Sequence, residues 1–184
     1  MDNTIPRSRG WLIPSLGLTQ IVAWGSMFYA YGVLMQPMQD ELGLSKPAIV
    51  GAYSVALLIS GLLSTAAGSI IDRIGGRLLM GSGALLAAVM LACLSRVHNA
   101  TELYLVWAGI GVAMSATLYQ PAFAVITQVH GSKYRRAITH LTLFGGFAST
   151  VFWPLTQTLL QHVGWREVWL IYAAANLLIC LPIH

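Results

Sequence analysis

The sequence predicts an all-α integral membrane protein of six transmembrane helices, with the N-terminus cytoplasmic. Three observations predict it. Charged residues are 9% of the chain, against about 25% in an ordinary soluble domain, while hydrophobic residues reach 57% and mean hydropathy is +0.70. A soluble domain of 184 residues cannot bury that much apolar surface. Apolar runs recur along the chain at lengths that cross about 30 Å of hydrocarbon. The basic residues, finally, gather on alternate connections between those runs.

The runs cover 12–38, 47–71, 78–95, 103–128, 137–162 and 167–184. The first is longer and more aromatic than a cleaved signal peptide, and no A-x-A-like site follows it. Period-two alternation extends over none of the six, which argues against strands. Cys93 and Cys180 sit inside apolar runs without metal-ligand spacing, so no metal or cofactor is expected.

Arg7, Arg9, Arg73, Arg77, Lys133, Arg135 and Arg136 fall on one side of the runs, and only Lys46, Arg96 and Arg166 on the other. The first side is therefore predicted to be cytoplasmic. Asp40, Glu41, Glu102 and Glu167 lie opposite. The net charge of +4 is thus topological and points to no nucleic acid. "NAT" at 99–101 matches a glycosylation acceptor placed almost at the membrane surface. The sixth run ends at "LPIH" without a basic anchor, so the chain is expected to be truncated.

The stretch "GSIIDRIGGR", residues 68–77, concentrates an acid and two arginines between spans 2 and 3. A six-residue link between antiparallel helices needs a tight turn, for which Gly75 and Gly76 are expected to supply positive φ. Arg73 and Arg77 satisfy the positive-inside rule, but Asp72 gains nothing from it and needs a partner. Asp72 also ends a row of small residues four apart, Ala52, Ala56, Ser60, Ser64 and Gly68, which permits close helix approach.

This loop, in this topological place, resembles the signature of the major facilitator superfamily, and the six-span layout resembles one half of its twelve-helix fold, which implies a half bundle whose missing partner is a C-terminal six-helix half. "GWREVW" at 164–169 is similar to a short pattern common at the start of span 6. The resemblance implies that Gly68, Asp72, Arg73, Gly75 and Arg77 form a cytoplasmic lock, made and released as the two halves rock. Gly76 departs from the pattern, where a basic residue is usual. "LYLVWAGIGVAMS" at 103–115 lacks the arginine that many members carry in span 4, which puts proton coupling in doubt. "FYAYGVLMQPMQDELGLS" at 28–45 is similar to the end of the first span in monocarboxylate-type members, without their lysine.

Transport needs a wettable site near mid-membrane. Gln20, Trp24 and Tyr31 fall within about 40° of one another around span 1. Gln20 and Gln120 each lie roughly 12–13 Å from the cytoplasmic ends of their spans; Tyr119 precedes the second, and Pro121 follows it and is expected to loosen the helix there. Gln20, Trp24, Tyr31, Tyr119 and Gln120 are the expected substrate cavity, weighed against simple interhelical hydrogen bonding. An intramembrane enzyme is disfavoured, since no nucleophile with a base, paired acids or clustered metal ligands lie within the spans. The expectation is a secondary transporter of a small solute by alternating access, in the plasma (inner) membrane, with the lipid bilayer as solvent. A stand-alone six-helix membrane interaction protein is the alternative.

Overall fold

The computed structural model describes residues 7–130 and 134–184, and every element in it is helical. Of the residues expected to set the topology, Lys133 lies outside the described residues. Helix α1 (Arg7–Trp24) passes through a π-helical turn at Gly25–Tyr29 into α2 (Ala30–Leu42), making one rod that Gly43 ends at φ 62°. Helices α3 (Lys46–Ile74) and α4 (Gly76–Leu94) follow. Then come α5 (Ala100–Thr117), α6 (Tyr119–His130) and α7 (Tyr134–His162). Helix α8 (Trp165–Ala175) ends the chain through a second π-helical turn at Asn176–Cys180 and the short α9 (Leu181–Ile183).

Among the described residues, four stretches of helix are long and apolar enough to cross a membrane: Lys46–Ile74, Gly76–Leu94, Ala100–Val129 and Trp165–Ile183. The rod Arg7–Leu42 and helix α7 match the first and fifth expected runs in position and are more polar, with residues such as Thr19, Gln20, Thr142 and Gln157. The protein is a multi-pass integral membrane protein. Its helices outrun the apolar runs by up to five residues, because helical hydrogen bonding continues into the more polar sequence that flanks them.

One expectation needs correction. The 72–77 link is not a six-residue loop: α3 continues through Asp72 and Arg73, and Gly75 alone separates it from α4. Gly75 takes φ +83°, where glycine is the residue without strain, but Gly76 is helical. Gly76 is small for another reason, since a Cβ there would run into the side chain of Val125 on α6. The bulky basic residue usual at that position in the resembling family has no room against α6. The fourth run, for its part, breaks at Leu118 into α5 and α6. Pro121 has no N–H to give the carbonyl of Thr117 four residues back, so the α-helical ladder stops there.

The main core lies toward the Gly43 end. Met27, Leu34 and Met38 of the first rod pack with Ile49 and Ala52 of α3, Trp107 of α5 and Trp169 of α8. Trp107 and Trp169 are fully buried and meet edge to face at 6.1 Å between ring centroids. Helices α3 and α5 touch closely because Gly111 faces the backbone of Ala56, and α4 meets the end of α5 where Gly83 faces Ala116 and Thr117. The small-residue row is therefore used at one end only. Ala52 and Ala56 are buried, Ser60 and Ser64 are half-buried, and Gly68 is exposed with open space where a Cβ would stand.

Candidate functional site

The chain break at Leu118 organises the site. It turns Tyr119 and Gln120 to the wall of a pocket of about 220 Å³ between the first rod, α3 and the α5–α6 junction. Trp24, Ser60, Gly61, Ser64, Met114 and Ser115 complete its lining with Leu118. Trp24 and Tyr119 stand 5.0 Å apart between ring centroids, and the far side of Tyr119 stacks on Phe123 at 5.2 Å. The indole Nε1 of Trp24 is buried without a hydrogen-bond partner among the described residues.

The structure thus brings together three of the five residues expected to line a cavity: Trp24, Tyr119 and Gln120. It places the other two in the packing behind them. Gln20 is fully buried, and its Nε2 donates a 2.8 Å hydrogen bond to the carbonyl of Thr117, the acceptor that Pro121 leaves without its helical donor. Gln20 and Gln120 both stand at the same chain break, one behind it and one on the pocket wall. Tyr31 is buried and stacked on Tyr53 at 4.0 Å, with Trp107 edge-on at 5.3 Å. Its 20° offset from Gln20 on a regular helix does not survive the π-helical turn at Gly25–Tyr29, which widens the helix between the two residues.

Sequence reasoning passed over Ser60, Ser64 and Ser115 as pocket residues. The small-residue row singled out the first two as packing positions, and nothing in α5 marks Ser115. It also passed over Asn176, whose position in the sixth apolar run was itself a signal. Asn176 is buried, and its Nδ2 donates to Ser26 Oγ at 2.9 Å and to the carbonyl of Tyr172 at 2.9 Å. Thr156 Oγ1 lies 2.6 Å from the Tyr172 hydroxyl. This bond to Ser26 joins the two π-helical turns, so the first and last rods are pinned where each leaves regular α geometry.

At the Gly75 end, Asp72 is exposed and accepts a 2.9 Å hydrogen bond from Gln128 Nε2 of α6. Arg73 and Arg77 are exposed, and neither pairs with an acid among the described residues. The partner Asp72 needed is an amide within this bundle, and its negative charge is left uncompensated there. Gly68 lies one turn before it on the same open face.

At the Gly43 end a charged clamp joins three elements. Glu41, at the end of α2, accepts from Arg166 Nε at 2.8 Å and from Trp165 Nε1 at 2.6 Å. The other guanidinium nitrogens donate to the carbonyls of Ser95 at 2.7 Å and Val97 at 2.9 Å. Arg166 also lies 4.3 Å over the Trp165 ring. The Glu41 carboxyl is held below its ordinary value, first by the Arg166 hydrogen bond and then by that from Trp165. Next to this clamp, Asn99 caps α5: its Oδ1 accepts from the Glu102 backbone and its Nδ2 donates to the Glu102 side chain, which also accepts from the His98 backbone. The amide of the "NAT" triplet is thus committed to a helix cap.

Known proteins bear on this arrangement. Residues 16–183 match the family model described as Major Facilitator Superfamily. The chain is 28% identical over 134 residues to the "Probable L-galactonate transporter" of Escherichia coli (strain K12), a match covering 72% of this chain and 29% of that protein. It is 24% identical over 162 residues to "Monocarboxylate transporter 7" of Homo sapiens, covering 85% of this chain and 30% of the relative. The chain spans under a third of the length of either relative. A match over nearly the whole chain, on a structure built of membrane-length helices, establishes the family: the protein belongs to the major facilitator superfamily.

Proposed function

We propose that this chain is a six-span half of a secondary transporter that moves a small organic solute by alternating access, rocking against a second bundle around a central site. The observation that carries the proposal is the pocket at the α5–α6 break, where Trp24, Ser60, Ser64, Ser115, Tyr119 and Gln120 gather from three parts of the bundle. Uncharged polar groups with aromatic neighbours hold a solute in place and still let it leave. Two relatives that are named as transporters, one of L-galactonate and one of monocarboxylates, support the same reading. Gly68, Asp72, Arg73, Gly75 and Arg77 are the proposed lock on the cytoplasmic side, which the distribution of basic residues assigns to the Gly75 end.

The experiment is flux. In proteoliposomes, the full-length protein should exchange labelled galactonate or a simple monocarboxylate with trapped unlabelled solute, and Gln120→Ala should raise the apparent KM. Absence of exchange for both solutes in protein shown to be folded would overturn the transport reading. For orientation, single cysteines at Arg77 and Arg96 in a background without Cys93 and Cys180 give a direct readout. An impermeant reagent applied outside cells should label position 96 and spare position 77.

A further inference from the structure

The pocket's lining holds uncharged hydrogen-bonding groups of both kinds. The Ser64 hydroxyl donates to the Gly61 carbonyl at 2.8 Å, and the Ser115 hydroxyl to the Val112 carbonyl at 2.7 Å. A hydroxyl has one proton, so both serines have spent it within their own helices and face the pocket as acceptors. Gln120, exposed on the wall, adds an amide that accepts as well as donates, Ser60 adds a hydroxyl, and the indole Nε1 of Trp24 is an unpaired donor among the described residues. Among the described residues, no lysine, arginine, histidine, aspartate or glutamate lines the pocket. A group that both donates and accepts, as a hydroxyl does, can satisfy such a lining on both counts. A carboxylate only accepts, so it would leave the two serine acceptors unmatched and would find no cation to offset its desolvation. An ammonium would find neither an acid nor an open aromatic cage, since Trp24 and Tyr119 pack on each other and Phe123 covers Tyr119 from behind.

We propose that this pocket binds the uncharged, hydroxyl-bearing portion of a polyol-like solute and leaves any carboxylate of that solute outside its walls. The inference rests on the transport reading of the pocket and specifies which part of a solute this half recognises.

The test is equilibrium binding to the full-length protein in nanodiscs with three probes: sorbitol, gluconate and acetate. Sorbitol and gluconate share a hydroxyl chain and differ by a carboxylate; acetate keeps the carboxylate and little else. Sorbitol and gluconate should bind within about threefold of each other, and acetate at least about tenfold more weakly. Ser64→Ala, which removes an acceptor, should weaken sorbitol binding about tenfold, and Ser64→Thr, which keeps one, should restore it. Acetate binding as tightly as gluconate would overturn the proposal, as would gluconate binding without sorbitol, equal binding by Ser64→Ala and wild type, or no binding by any probe. Gluconate flux without sorbitol binding sinks this pocket chemistry and leaves transport standing; sorbitol binding without flux does the reverse.

Discussion

Gln20 Nε2 donates to the carbonyl of Thr117, ninety-seven residues away in sequence and fully buried, at 2.8 Å. That carbonyl would ordinarily accept from the N–H of residue 121, which is proline. The amide of one helix therefore repairs the backbone of another at the point where α5 becomes α6. A buried acceptor left unpaired costs about 1–3 kcal/mol, which is what this contact avoids.

The pair predicts a coupling. Gln20→Ala alone should destabilise the protein by about 1 kcal/mol or more. In the Pro121→Ala background, where residue 121 regains its N–H, the same change should cost markedly less. Unfolding in detergent across the four proteins gives the double-mutant cycle; additive effects would show that Gln20 does not serve Thr117.

The clamp at the Gly43 end should be acid-sensitive. Because Arg166 and Trp165 hold Glu41 below its ordinary value of about 4.5, the contribution of this carboxylate is complete above that value. It is lost as pH falls through the lower folded value. Thermal stability measured from pH 6 downward should therefore decline more in wild type than in Glu41→Gln, with the difference opening below about pH 4.5. Parallel curves would remove Glu41 from the acid response.

Asp72 separates two roles. Asp72→Asn keeps an oxygen that can accept from Gln128, so α3 and α6 should stay joined and the protein should insert and purify normally. The charge is gone, however, and if that charge closes the cytoplasmic side, transport by the full-length protein should fall at least about tenfold, a barrier change of roughly 1.4 kcal/mol. Normal flux in Asp72→Asn would leave the residue a helix-end hydrogen-bond acceptor.

Three helical glycines should respond unequally to alanine. Gly68→Ala should be neutral or stabilising by up to about 1 kcal/mol, since it is helical with open space around it. Gly76→Ala drives a methyl into Val125, and Gly111→Ala drives one into the backbone of Ala56, each for a loss of about 1–3 kcal/mol. Equal melting temperatures for the three variants would contradict the packing described.

What the sequence determined by itself was whatever depends on neighbours along the chain. Scarcity of charge set the solvent, run length set the positions of the helices, and Gly75 marked the tight turn between α3 and α4. Pro121 foretold the weak point in the fourth run. Hydropathy and helical rise are additive along a chain, which is why these features could be read without coordinates. Choice of partner is not additive. Gln20 is spent on a carbonyl and Asp72 on Gln128, while Glu41 finds Arg166 across 125 residues. Asn99, legible as a modification triplet, is used as a helix cap. Three serines from α3 and α5 meet at a pocket as half-buried or buried groups, two of them with their protons already given away. Only packing decides these outcomes, because a polar group in a membrane takes whichever donor or acceptor the neighbouring helices bring within reach, and that neighbour is set by three-dimensional placement.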